Sequence, residues 1–279
     1  MQSLHSARPH AALQSFVRAY AQRTYVLHEP TTEPSLPSVD PVLVFLFGAG
    51  FKVCFPGGGI VTPHHATIVG ANLRFGTNLR LNGKVDLFAI FFQPAGFTDL
   101  FGVPGRHITS AYHDASAVFG SASSLWEQLA EANSFAYRVR VAEAYLLAQR
   151  ATAPVVHNRH AANEILSRRG MIRIRLLAHD YGVSVRQFER DFIKTVGATP
   201  KSFARVARFE CALDAKIANP ARTWLDIAVA LGYSDQMHLI HDFKGMSGNS
   251  PEALLKILGD ARPPALVASG GDDETFRQQ

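Results

Sequence analysis

The side chains best suited to chemistry lie between positions 184 and 194, and again between 236 and 244. In the first stretch Arg186, Gln187, Arg190 and Lys194 recur at spacings that set them along one side of a helix, with Ser184 just ahead as an N-cap. Guanidinium groups pair with guanine edges or with phosphate, and a carboxamide matches an adenine edge. A helix face of this kind suits the major groove of a DNA duplex. Val185, Phe188 and Phe192 fall on the opposite side and are expected to be buried. In the second stretch Leu239 and Phe243 point inward, Gln236, Met237, His238 and His241 face out, and Lys244 closes the turn. The candidate DNA-binding set is therefore Ser184, Arg186, Gln187, Arg190, Lys194, Gln236, Met237, His238, His241 and Lys244.

Both stretches sit inside a longer internal repeat. Leu177-Ala178 and Gly182 recur as Ile227-Ala228 and Gly232 at a spacing of 50. Ser184, Phe188, Phe192, Gly197, Pro200 and Phe203 recur as Asp235, Leu239, Phe243, Gly248, Pro251 and Leu254 at a spacing of 51. Each unit reads as helix, tight turn, helix. The small alanine lets two helices approach, the glycine supplies a left-handed turn, and Ser184 or Asp235 caps the helix that follows. Between the units, KSFARVARFECALDAKIAN places Phe203, Val206, Glu210, Leu213 and Ile217 at helical spacing, apolar except for the glutamate. This predicts a connecting helix closed by Asn219-Pro220, holding the two recognition helices roughly 34 Å apart, one turn of DNA.

With those residues in view, the chain resembles the AraC/XylS family of transcription regulators. The resemblance is carried by LLAHDYGVSVRQFERDFIKTVGATPKSFARVARF and by DIAVALGYSDQMHLIHDFKGMSGNSPEALL. The second stretch follows the family pattern of I-A, then G-[FY]-x-D, then F-K, then G-x-S-P. It covers about residues 157–258; the N-terminal half is similar only loosely, chiefly through VDLFAIFFQPAGFTDLFGVP. The chain departs from the family at His241, where Arg is usual, and at Met237, where a small hydroxyl residue is usual. Both departures weaken the second unit, so the first is expected to supply most of the affinity. The resemblance implies double-stranded DNA and RNA polymerase as partners, and activation of nearby promoters rather than simple repression.

The charge distribution agrees. Residues 159–208 hold 11 Lys and Arg against 4 Asp and Glu, whereas residues 209–258 hold 4 against 6, so the basic excess surrounds the first unit. Upstream, residues 1–110 read as β-rich. HAALQSFVRAYAQRTYV places Leu13, Phe16, Val17 and Tyr20 at helical spacing and predicts a short first helix. From Pro41, PVLVFLFGAG, FKVCF, IVTP, HHATIVGA, LRLNG and KVDLFAIFFQP are short β-branched or aromatic runs punctuated by Gly, Pro and Asn, the texture of an antiparallel sheet or barrel. Twelve of the 19 Phe residues precede position 120, which gives this region an aromatic interior or pocket.

The fold class expected is α+β: an N-terminal β-rich, barrel-like regulatory domain (1–110), a helical linker or dimerisation segment (111–155), an all-α domain with two helix-turn-helix units (156–258), and a disordered tail (259–279). The N-terminal domain is expected to sense a small-molecule effector or to assemble a homodimer. Cys54 and Cys211 lie far apart in largely apolar surroundings and read as packed thiols of a reduced cytosol. The first ten residues lack a signal peptide's apolar core, and the longest apolar run, Val42 to Phe51, is too short for a bilayer; a cytoplasmic protein with no membrane partner is expected. His64-His65, with His28 distant, lack the spacing of a ligand set, and Pro56-Gly57-Gly58-Gly59 precedes a strand and reads as a hairpin turn. Neither a metal, a cofactor nor catalysis is expected. The competing readings are a ligand-independent dimeric regulator, and, in another class, a cupin-like enzyme or a DNA-repair methyl acceptor fused to a DNA-binding module.

Overall fold

The computed structural model describes residues 3–73, 76–152 and 159–259. The Ala153-Pro154 break and the proposed tail beyond Gly259 lie outside them. The chain opens with β1 (Ser3–Ala7) and, after a 3₁₀ turn at Ala11–Leu13, β2 (Val17–Ser35). There follow β3 (Val42–Leu46), β4 (Phe51–Cys54), β5 (Ile60–Val61), β6 (Ala66–Val69), β7 (Thr77–Phe92) and β8 (Tyr112–Asp114). These form one antiparallel sheet in the order β1-β2-β7-β3-β6-β8, with β4 also on β7 and β5 on β4. Among the described residues no pairing joins β1 to β8, so the sheet does not close.

Two local expectations give way to the sheet. The short first helix is replaced by the 3₁₀ turn and the start of β2. Tyr20 pairs with Ala7 on one side and Ile90 on the other, so this backbone finds its hydrogen bonds across two neighbours. Val17, Ala19, Tyr20 and Ala21 are all buried, which a single helical stripe would not achieve. LRLNG and KVDLFAIFFQP, read as separate runs, form the one strand β7. Gly83, at φ 69°, lies opposite Leu27 at a register shift between Leu27 and Thr31, so Asn82-Gly83 bends a strand instead of turning a hairpin. By contrast the glycines at 57–59 do turn the β4–β5 hairpin, where Phe55 N–H donates to Gly59 O at 2.8 Å.

One face of the sheet carries the row Tyr20, Ile90, Leu43, Ile68, in register across β2, β7, β3 and β6 and fully buried. Four helices pack around the sheet: α1 (Gly96–Phe101), α2 (Ala115–Val118), α3 (Ala122–Glu131) and α4 (Phe135–Thr152). Phe97, Leu125, Leu129, Ala142 and Leu146 share one core with that row, so the helices after residue 111 pack as part of the sheet's layer. The aromatic residues fill this interior: Phe45, Phe88, Phe92 and Phe97 are wholly buried, with Phe92 and Phe97 edge to face at 5.3 Å.

The remaining elements are helical: α5 (Arg159–Ser167), α6 (Ile174–Asp180), α7 (Val185–Val196), α8 (Pro200–Ala218), α9 (Trp224–Ala230), α10 (Gln236–Ser247) and α11 (Pro251–Leu258). The loop after β2 reaches into this second core, where Val39 is fully buried beside Phe203, Val206, Phe209 and Leu213, with Leu36 and Leu73 packed against it. A second contact joins α1 and the 3₁₀ turn Gly105–His107 to the end of α7. Thr98 Oγ1 donates to Thr195 O at 2.9 Å, and a side chain at Gly105 would collide with that same carbonyl.

Candidate nucleic-acid interface

The two helix-turn-helix units are built alike. Gly182 and Gly232 both adopt φ 67° in the turn, the left-handed conformation that a Cβ disfavours. Ser184 Oγ then accepts the Gln187 N–H at 3.2 Å, and Asp235 accepts the His238 N–H at 2.7 Å, satisfying donors left open at the starts of α7 and α10. That bond to the backbone of His238 also holds the Asp235 carboxyl below the usual carboxylate range. Both helices end in a left-handed glycine, Gly197 and Gly248, and each is followed by a capped proline start, at Thr199-Pro200 and Ser250-Pro251. The repeat in the sequence is thus a repeat of caps and turns as well as of apolar positions.

The connecting helix α8 spans Pro200–Ala218 with Asn219 at its C-cap, as the spacing predicted, and it contacts both α7 and α10. Both of its arginines are engaged. Arg205 reaches Asp242 of α10 through Nε at 3.0 Å and Nη2 at 2.9 Å, and Arg208 Nη2 donates to Gly170 O at 3.2 Å while its guanidinium lies 5.2 Å from the Tyr233 ring centre. Glu210 turns instead to the N-terminal half. It is fully buried, approached by the Ser38 hydroxyl and the Val39 N–H and by the Arg18 guanidinium, which itself pairs with Asp40. Burial pushes the Glu210 carboxyl up to about 7, with Arg18 pulling the other way.

The candidate DNA-binding residues fall largely where their spacing set them. Ser184, Arg186, Arg190 and Lys194 are exposed on or beside α7, and Gln236, Met237, His238, His241 and Lys244 are exposed on α10; Phe188, Phe192, Leu239 and Phe243 are buried. Val185 was expected to be buried and is 37% exposed at the first position of α7, while Phe188, one turn on, packs against Tyr181 and Phe192. Gln187 is half-buried, with its amide engaged by Asp191 and by Arg190. His238 is steadied by Ser234 Oγ at 3.2 Å and by the Tyr233 ring, edge on at 5.2 Å. Sequence reasoning missed Asp191 and Asp242. The first was visible as a Gln-Asp pair at four-residue helical spacing; the second shows only once α8 lies against α10.

The other candidates find no joint site. His64 Nδ1 lies 3.7 Å from Asp114 Oδ2 while His65 sits on Trp126, and among the described residues no three His, Cys, Asp or Glu side chains gather as a metal would need. Burial pushes the Cys211 thiol up to about 12. No helix of the described residues is long and apolar enough to cross a membrane.

A β-sheet domain packed against a helical unit with two helix-turn-helix motifs on one connecting helix defines a DNA-binding regulator. A family model described as a helix-turn-helix domain matches residues 177–257, and one described as a domain of unknown function (DUF6597) matches residues 5–114. The first match places a helix-turn-helix domain of AraC type over residues 177–257, the stretch that holds both units. Among solved structures, an apo ToxT variant from Vibrio cholerae strain SCE256 is 10% identical, with 90% of this chain and 100% of that one covered and a TM-score of 0.50. ToxT from Vibrio cholerae in another crystal form is 8% identical, with coverage of 93% and 98% and a TM-score of 0.49. ToxT from Vibrio cholerae O395 is 9% identical over the same shares, with a TM-score of 0.48. At such identity the likeness is one of fold alone. No curated protein sequence matches the chain.

Proposed function

We propose that this chain is a sequence-specific cytoplasmic regulator that activates transcription by reading an operator with α7 and α10. In this reading Ser184, Arg186, Gln187, Arg190 and Lys194 serve the first major groove, and Gln236, Met237, His238, His241 and Lys244 the next. The observation that carries it is the pair of identically capped and turned recognition helices, both braced on α8 and both presenting polar faces to solvent. A 19-residue helix is about 28 Å long, which is the scale needed to set two readers one duplex turn apart.

Residues 156–258 form the operator-reading domain, residues 1–110 the regulatory domain that answers a small-molecule effector, and residues 111–155 the segment through which two copies associate. The insertion of Val39 into the DNA-binding core supports such control, since a ligand that moves the loop after β2 must disturb the helix joining the two readers. RNA polymerase is the partner that promoter activation requires.

Selection of bound duplexes from a random DNA library at about 150 mM salt, where purely phosphate-driven binding is weak, tests the reading. Two enriched elements centred about one turn apart are expected. A library that emerges unenriched would overturn it.

A further inference from the structure

Gln187 has the chemistry of an adenine reader, yet its surroundings give it another task. Its amide nitrogen donates to Asp191 Oδ2, and its amide oxygen accepts from Arg190 Nη2. The three side chains form a chain of carboxylate, amide and guanidinium within little more than one turn of α7. A carboxamide is suited to the middle of that chain, because one end donates to an anion while the other accepts from a cation; a carboxylate or an ammonium cannot do both. Arg190 Nε also lies 4.0 Å from Asp191 Oδ1.

The placement of Asp191 sharpens the point. An acidic side chain on a helix facing a polyanion costs affinity through like-charge repulsion unless a cation holds it. Here it faces Arg190, whose side chain remains 74% exposed. The bond to Gln187 occupies one N–H of the guanidinium and leaves the rest of the planar fork open toward solvent. Arg186, one turn earlier, is exposed and makes no hydrogen bond or ion pair among the described residues. The two arginines therefore differ, one free to follow phosphate and one pre-set. Ordering a long side chain before binding removes a cost otherwise met on binding, and it fixes which edge of a base the fork meets.

We propose that Gln187 and Asp191 are positioning residues that hold the Arg190 guanidinium for paired hydrogen bonds to a guanine edge, and that Gln187 does not itself read adenine. This rests on α7 being a DNA reader. The test uses the full chain and a duplex selected by it, in which each guanine is replaced in turn by 7-deazaguanine, which lacks the N7 acceptor but pairs normally. One replacement should weaken wild-type binding on the order of 10-fold, the lower part of the range for a paired base contact. Arg190→Ala, Gln187→Ala and Asp191→Ala should each abolish that penalty. Asp191→Asn, which keeps an acceptor for the Gln187 amide, should retain it, and Gln187→Ala should leave the salt dependence of binding unchanged. Thermal unfolding checks that each variant is folded. A penalty that persists in Gln187→Ala overturns the proposal, as does a 7-deazaadenine penalty seen in wild type and lost in that variant. If the folded wild type selects no duplex at all, the DNA-reading role of α7 falls first and the proposal with it.

Discussion

Replacing Glu210 by Gln should stabilise the protein, and by more at pH 8 than at pH 5. Glu210 lies wholly buried between the connecting helix and the loop after β2, facing Arg18 from the N-terminal half, the Ser38 hydroxyl and Val39 N–H of the loop, and Asp214 of its own helix. Its carboxyl rises from 4.5 to about 7, chiefly because burial penalises the charged form. Between those two values the folded protein keeps a proton that the unfolded chain has released. Stability from this group is therefore fully present below 4.5 and is lost as pH rises to 7, levelling off above. The rise corresponds to ~3 kcal/mol. Glutamine imitates the protonated acid at every pH, so the variant should exceed wild type by ~1 kcal/mol at pH 5 and by ~3 kcal/mol at pH 8. Denaturant unfolding of both proteins at 25 °C, from pH 5 to 8, measures the difference, in which the titrations common to both cancel. A gap that stays constant, or widens toward acid, would show that Arg18 and the loop dipoles outweigh burial and would refute the reasoning.

The two reading helices should respond unequally to truncation. Arg190→Ala is expected to cost ~1–3 kcal/mol of binding and His241→Ala under ~1 kcal/mol, in a titration on the selected duplex at fixed salt; equal losses would refute this ordering. Met237, 69% exposed in the first turn of α10, offers an apolar contact suited to a thymine methyl group. One thymine-to-uracil replacement should therefore weaken wild-type binding a few-fold and leave Met237→Ala indifferent, and an equal effect on both proteins would exclude the contact. Gly105→Ala should loosen the seat of α7 on the N-terminal domain, because its methyl meets the Thr195 carbonyl. A loss of ~1–3 kcal/mol in unfolding free energy is expected, and an unchanged unfolding midpoint would contradict that close approach.

The tandem helix-turn-helix was legible in the chain itself, since everything that builds it is local. Apolar positions recur every three or four residues, a glycine takes the left-handed turn, a short polar side chain caps each start, and an asparagine-proline pair closes α8. Those signals act over one or two turns of backbone, so they survive without knowledge of neighbours. The outward faces of α7 and α10 followed from the same arithmetic. Other features needed partners distant in sequence. The stretch from Val17 to Tyr20 continues a helical spacing, but β1 and β7 stand ready to take its hydrogen bonds, and it becomes strand. Asn82-Gly83 carries a turn signature, but the irregularity in β2 opposite absorbs it within one strand. Glu210 stood out as the lone acid on an apolar face, and nothing nearby in sequence could reveal that Arg18 and Ser38 would meet it. Even Gln187, correctly set on the polar face of its helix, acquires its role from what its amide touches. Periodicity and turn chemistry are properties of a segment and can be read from it, whereas pairing, burial of charge and the engagement of a side chain belong to contacts that exist only after the chain has closed on itself.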